Sequence, residues 1–485
     1  MRVNYSTFST TQFRVLSDNQ IEAIYLASLE VLEDVGVAVH SPEAIELLKA
    51  AGGVVSDQTL VKIPASAVKT ALQSAPERVV LADRKGDRVM SLEDDNVYFG
   101  TGSDCPFILD SATGQRRKYT FADVADAAKI ADALPNIDFF MSLGLVSDVP
   151  VPTYDRHQFL AMLSNTVKPT IVTAVDRDGL SDIYEMSCLA LGGRDAFRAA
   201  PITALYAEPS SPLKHTRNAL EKLMFAAENM IPTVYTPCPI AGATGPATLA
   251  GCLVQSLAES LSGLVVAQQK RPGAPVIIGG VTSILDMSTM VMSYGCPELF
   301  LMSAALTDVV KWLRLPMFST GGCSDSKILD EQAAAEAAIS LLMATLSGAN
   351  LIHDVGFLES ALVGSYEMLV MCDEIIGMVK HIARAIRVDD ETLALDVIHQ
   401  VGPRGQFLDQ DHTFRHFRDQ FWFPRLMDRA NYEKWDAAGR KSMGDRVREA
   451  TTKILHDHHS EPLPADVLKE LKSIVARADA KLPGA

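Results

Sequence analysis

From Asn96 onward one pattern recurs eight times: a short apolar run ends in Gly, Ser, Thr, Asp or Glu, and a stretch of helical periodicity follows. The runs cover 97–99, 137–143, 170–174, 202–207, 233–236, 275–278, 316–319 and 351–352. The helical stretches cover 121–134, 155–165, 179–191, 212–229, 246–270, 296–314, 328–347 and 362–385. Such alternation predicts an α/β fold with a parallel sheet. Eight units in about 290 residues predict a closed TIM (β/α)8 barrel rather than an open doubly wound sheet. The last run anchors the count. ANLIHDVGFLES, 349–360, is an apolar strand that opens into a polar, glycine-containing turn, as a barrel strand does at its mouth.

The flanks are helical. Residues 1–95 read as a lead-in packed on the barrel, 96–386 as the barrel, and 387–485 as a C-terminal extension. Within the lead-in, Ile21, Ile24, Tyr25, Leu29 and Leu32 recur at helical spacing over 19–34. Ser41-Pro42 starts a second helix, because Ser caps and Pro is tolerated at the first position. A third follows Ile63-Pro64, and 78–82 with 88–92 alternate as a hairpin around Lys85-Gly86. The extension predicts helices over 389–401, 412–418, 431–438, 442–456 and 465–478. Its surplus apolar residues, such as Phe421-Trp422-Phe423, suit either a homo-oligomer interface or burial within the subunit.

Composition narrows the class. Hydrophobic residues make up 48% and the mean hydropathy is +0.11, values of a well-buried globular protein. No run approaches the roughly 20 uninterrupted apolar residues of a membrane span. Residues 1–20 lack an apolar signal region, so a cytoplasmic setting is expected. A net charge of −16 argues against nucleic-acid binding and is compatible with a cationic substrate. The seven cysteines form no CxxC or His-x-Cys, so isolated reduced thiols are expected and no metal site. No GxGxxG or GxxxxGK[ST] follows any strand, which weakens dinucleotide and nucleoside-triphosphate readings.

In a barrel the segments after the strands share one face. Here they are mostly glycine-containing, rich in small polar groups, and free of GxSxG and HExxH motifs. That composition orients a ligand rather than attacks it. Tyr98, Phe99, Phe107, Tyr206, Tyr235, Phe318 and Phe357 lie near the same ends, where rings can cage a quaternary ammonium or simply fill the core. His353 is the leading catalytic candidate, with a structural histidine as the alternative. Glu208 suits either balancing a cation or fixing a loop. Asp104 and Asp325 are binding candidates or helix caps, with Lys327 expected to pair with one of them.

Several long blocks then point one way: EPSSPLKH (208–215), GATGPATLAGCLVQSLAE (242–259), RPGAPVIIGG (271–280), YGCPE (294–298), GGCSDSKILDEQAAAE (321–336), ANLIHDVGFLES and QVGPRGQFL (400–408). With 13–37 and 110–139 they resemble the trimethylamine methyltransferase family over nearly the whole chain. The resemblance implies a TIM-barrel enzyme that moves a methyl group from a methylated amine to cob(I)alamin on a separate corrinoid protein. Members acting on trimethylamine carry pyrrolysine. This chain holds only the twenty standard residues, so it is similar to the pyrrolysine-lacking, betaine-type branch.

On that footing Glu208 and the aromatic residues would take the cation. His353 would position the substrate or its carboxylate. The glycines of 242–245 and Gly321-Gly322 would leave room for the corrinoid. Cobalamin would arrive with the partner, with no cofactor bound tightly by this chain. Three other readings stay open: a barrel enzyme on another small polar substrate with a metal at His353, a non-enzymatic binder of quaternary amines, and methyl transfer to a thiol or tetrahydrofolate. Glycine betaine, proline betaine, carnitine and choline-like compounds all remain candidate substrates.

Overall fold

The computed structural model describes residues 11–482, so the first ten residues, on which part of the leader reading rests, lie outside it. Its centre is a closed barrel. The strands are β1 (Tyr98–Phe99), β2 (Phe139 and Phe140), β3 (Thr170–Val172), β4 (Thr203–Ala207), β5 (Thr233–Tyr235), β6 (Val276–Gly279), β7 (Met317–Thr320) and β8 (Leu351–His353). Seven form one parallel sheet in the order β1-β8-β7-β6-β5-β4-β3. β2 closes the ring through single bridges, Gly100 to Phe139 and Phe140 to Thr170.

The outer helices are α1 (Phe121–Ala133), α2 (Tyr154–Asn165), α3 (Arg177–Leu191), α4 (Arg217–Asn229), α5 (Leu249–Lys270), α6 (Pro297–Trp312), α7 (Glu331–Ser347) and α8 (Tyr366–Ala383). Their starts are set by side chains that accept otherwise orphaned backbone N–H groups. Asp176 accepts from Gly179, Thr216 from Ala219, Asp330 from Ala333 and Ser365 from Met368. α4 begins five residues later than the periodicity predicts. Lys214–His215 is instead drawn into a parallel pair with Val37–Val39 of a small N-terminal sheet.

The helices Asp18–Glu30, Pro42–Ala50 and Ala65–Ser74 cover α5. This explains why α5 is apolar on nearly every side. Its length and hydropathy would suit a membrane span, yet most of it is buried between the barrel and these helices. The hairpin of Val79–Ala82 and Arg88–Leu92 plugs the bottom of the barrel. Val79, Leu81, Met90 and Leu92 pack on the inward side chains Phe139, Ile171, Val234 and Ile277. At the other end of the chain, Met443–Asp457 packs on α1 and α8, and Ala465–Asp479 on α2 and α3. With the bottom closed, the open end is the face where the strands terminate.

Candidate active site

β8 carries His353 to the top of the lumen. Its ring lies tilted at 39° against Phe318 of β7, 4.1 Å away, and 6.2 Å from Tyr206 of β4, which in turn lies 5.5 Å from Phe318. The His353 Nδ1–H donates to the Ser319 carbonyl at 2.8 Å, because a carbonyl only accepts. Nε2 lies 3.1 Å from Oδ1 of Asp354, whose Oδ2 accepts from the Thr320 hydroxyl at 2.8 Å. Both ring nitrogens are therefore engaged, and the side chain is buried. Burial pushes the Asp354 carboxyl above its ordinary pKa, while the neighbouring imidazole and Thr320 oppose the rise. The Asp354 carboxylate thus stands beside the His353 ring at the edge of the aromatic floor.

Two further carboxylates stand above that floor. Glu208, just past β4, accepts from the Tyr206 hydroxyl at 3.1 Å. Asp104, in the loop after β1, accepts from Ser103 at 2.8 Å and from Thr173, just past β3, at 3.5 Å. Both retain solvent access, yet protein crowds around them as in a well. That crowding raises each above the usual carboxylate pKa, and Asp104 adds to the rise at Glu208. Asp104 and Asp354 also take left-handed backbone, with φ of +73° and +71°. Aspartate tolerates this conformation at a modest cost, and such outliers gather at functional sites. The loop after β1 approaches so closely that a Cβ on Gly102 would meet Asp354 Oδ1 at 2.3 Å.

Other expected site residues fall elsewhere. Phe99 and Tyr235 point out of the barrel, because neighbours in a strand alternate faces. The Phe99 ring lies under Lys380 of α8 at 5.2 Å. The Tyr235 hydroxyl bonds His215 at 2.7 Å, with its ring against Gly263 of α5. Tyr98 faces inward but at the closed end, where its hydroxyl accepts from the Ser91 N–H of the plug at 3.1 Å. Phe357 is buried against Gly102, beside Asp354. Asp325 caps no helix. It accepts from the Tyr294 N–H at 2.7 Å, from Ser360 Oγ at 2.7 Å and from Ser293 Oγ, and so ties together the loops after β6, β7 and β8. Lys327 donates to the Asp325 backbone carbonyl at 2.7 Å rather than pairing with a carboxylate.

The aromatic set at the mouth is thus Tyr206 and Phe318, joined by two tyrosines that the strand pattern did not flag. Tyr154, at the start of α2, feels the charge of Asp104, and Tyr294 that of Asp354; burial raises both hydroxyl pKa values. Lys222, in the second turn of α4, donates to the Ala174 carbonyl at 2.7 Å. It lies in the field of Asp104, Glu208 and Asp155, which counters part of its depression by burial. Lys222 and Tyr154 sit on helices, where a search of strand ends does not look. Glu259 of α5 holds the Glu208 loop, accepting from Ser211 Oγ at 2.7 Å and the Leu213 N–H at 2.8 Å. A site of this kind has negative charge, ring faces and hydroxyls converging on an open well.

Comparison with known proteins accounts for the same chain. The family model described as trimethylamine methyltransferase (MTTB) matches residues 2–483. The trimethylamine methyltransferase MttB of Desulfitobacterium hafniense (strain DSM 10664 / DCB-2) is 35% identical over 464 residues, covering 96% of this chain and 93% of that protein. The glycine betaine methyltransferase of Desulfitobacterium hafniense (strain Y51) is 31% identical over 470 residues, covering 96% and 97%. In fold, the chain is similar to the monomethylamine methyltransferase MtmB of Methanosarcina barkeri. The TM-score is 0.53 at 13% identity, over 92% of this chain and 88% of that one. The chain belongs to the trimethylamine methyltransferase family and is a methyltransferase built on a (β/α)8 barrel.

Proposed function

We propose that this protein takes a methyl group from a quaternary, betaine-like amine and passes it to cob(I)alamin carried by a separate corrinoid protein in the cytoplasm. The observation that carries the reading is the pair Glu208 and Asp104, set beside Tyr206 and Tyr154 at the open end of the barrel. A quaternary ammonium has no N–H to donate. Only charge and ring faces can hold it, and this well offers both. The likeness to a glycine betaine methyltransferase supports the same substrate class.

The chemistry asks little of the protein beyond placement. The docked corrinoid would supply the nucleophile, to which the methyl carbon would bond. As the C–N bond breaks, its electron pair stays on nitrogen, and a quaternary ammonium leaves as a neutral amine. No proton is required, so no general acid is needed. The residues hold one N-methyl toward the opening, which is catalysis by orientation. Glu208 and Asp104 balance the cation. Tyr206 and Phe318 form the apolar wall, and His353, locked by Ser319 and Asp354, fixes that wall.

A partner protein fits the rim. Val151, Met287, Met290, Ile328 and Leu362 are exposed on four different loops of the mouth face. Methionine-rich apolar surface of this kind suits an adaptable docking contact. The seven unpaired cysteines agree with a reducing compartment.

The test is methylation of reduced cob(I)alamin, followed by absorbance, against a panel of methylated amines. Glu208 keeps solvent access, so its attraction for a bound cation is screened to about 1–2 kcal/mol. Glu208→Gln is expected to raise KM for the accepted quaternary amine about tenfold, with a smaller change in kcat. Absence of turnover and of any amine-induced rise in Tm across the panel would overturn the substrate class.

A further inference from the structure

The span 384–423, which follows α8, has an unusual balance of order and burial. It contains the helices Asp390–Leu393, Leu395–Val401 and Asp411–Gln420. Among the described residues of this span, Val397 alone is buried. Ordering a residue costs roughly 1–2 kcal/mol, and helices this short do not hold in water without packing. One buried valine does not offset some forty ordered residues. The span is nevertheless internally knit. Arg415 and His416 reach Glu391 at 3.3 and 3.0 Å, and Thr413 donates to the Phe407 carbonyl at 2.6 Å. It is also firmly tethered just beyond its end. Glu374 of α8 accepts the N–H groups of Arg425, Leu426 and Met427 at 2.8, 2.9 and 3.0 Å.

Its surface has the composition of a protein interface. Leu408 is 84% exposed, Ile386 82% and Phe414 67%, with Phe421, Leu395 and Phe423 close behind. These six expose roughly 800 Å² of side chain, about what one partner contributes to a stable complex. The span holds five Phe, one Trp and five Arg but no Lys, which is the bias of interface cores.

Two features select the partner. A helix that follows a barrel strand runs back from the mouth, so α8 delivers the start of this span to the closed end, away from where a corrinoid must dock, and its far end returns along α8 to Glu374. And while the whole chain carries −16, this span sets five arginines against seven carboxylates, a net of −2. A near-neutral surface bearing both signs can face its own copy across a two-fold axis without repulsion.

We propose that 384–423 is an arm that docks onto the same arm of a second copy of this chain. Light scattering after size exclusion tests it on the full-length protein. The expected mass is at least twice 52.5 kDa. The double variant Leu408→Asp, Phe414→Asp should run at 52.5 kDa with unchanged far-ultraviolet circular dichroism, and its arm should become the first site of proteolysis. Because charge insertion can unfold a chain, the milder Leu408→Ser is run in parallel and should shift dissociation to higher concentration. A wild-type protein that stays monomeric at micromolar concentration overturns the proposal. So does a folded double variant that keeps the wild-type mass.

Discussion

His215 offers a test of the fold in which the magnitude follows from the structure. It sits 2% exposed between the N-terminal sheet and α5. Its Nδ1 lies 2.7 Å from the Tyr235 hydroxyl and its Nε2 2.8 Å from Ser262 Oγ. The Ser262 hydroxyl donates its single hydrogen to the Glu259 carbonyl at 2.9 Å, so it accepts from Nε2–H. Nδ1 must then accept from Tyr235, and the ring is held neutral. Burial pushes the His215 pKa down to about 4 from 6.5. A proton added at Nδ1 would face the tyrosine O–H.

The folded pKa lies below the unfolded one, so the unfolded chain binds more protons between the two values. Stability from this group is complete above about pH 6.5 and is lost as pH falls toward 4. A shift of this size corresponds to about 3 kcal/mol, a large part of the total for an ordinary domain. The buried carboxyls Asp354 and Glu259 have raised pKa values and act with the opposite sign, so wild type alone does not isolate the effect. The assay is urea unfolding of wild type and His215→Gln from about pH 7.5 to about pH 4.5, read as the difference between them. Wild type should lead at neutral pH and lose about 2.5 kcal/mol of that lead across the window. A difference that stays flat would refute the neutral, doubly bonded imidazole.

Two further predictions probe the frame of the site. The Lys168 ammonium donates to the carbonyls of Ala131, Leu134 and Ile137 at 2.5, 2.6 and 2.5 Å, joining the end of α1 to β2. Lys168→Met strands three partly buried acceptors and should cost about 3 kcal/mol in chemical denaturation; a loss below about 1 kcal/mol would mean that water replaces the ammonium. Gly102→Ala places a Cβ 2.3 Å from both Asp354 Oδ1 and Phe357 Cζ. Methyl transfer should fall at least tenfold, because Asp354 must leave His353, and unchanged kinetics would show that this contact does not position the site.

The barrel was legible in sequence because each βα unit signals itself twice, by an apolar run and by a capped helix. β2 was the weakest strand. Its run at 137–143 looked long, yet only Phe139 and Phe140 bridge their neighbours. The site was legible only in part, for a geometric reason. Tyr98 and Phe99 are adjacent and equally aromatic, yet alternation sends one into the lumen and the other under Lys380. No local feature states which parity is inward. Depth along a strand is equally silent, and it separates Tyr98 at the plug from Tyr206 at the mouth. Asp325 looked like a ligand because it is a carboxylate after a strand. Its partners, Ser293 and Tyr294 on one loop and Ser360 on another, lie more than thirty residues away on either side, so its role as a tie appears only in three dimensions. His353 and Glu208 fell at the mouth because strand ends are where the sequence can be searched. Lys222 and Tyr154 reach the same place from helices.

The raised carboxyls give a last prediction, one that separates a cation site from a neutral one. The protein crowded around Glu208 and Asp104 holds both above the ordinary carboxylate range in the free protein. At a pH below those raised values each carries a proton for part of the time. A bound quaternary ammonium favours the ionised form, lowers both pKa values and expels the proton. Affinity should therefore rise as pH increases through the raised values and level off above them. Protons released on binding can be counted by calorimetry in two buffers of different ionisation heat. Release at mildly acidic pH that falls in Glu208→Gln and vanishes when Asp104→Asn is added would place the cation against these carboxylates. Equal heats in both buffers at every pH would mean that the ligand's charge settles elsewhere. The well of Glu208, Asp104 and Tyr206 would then serve the neutral part of the substrate.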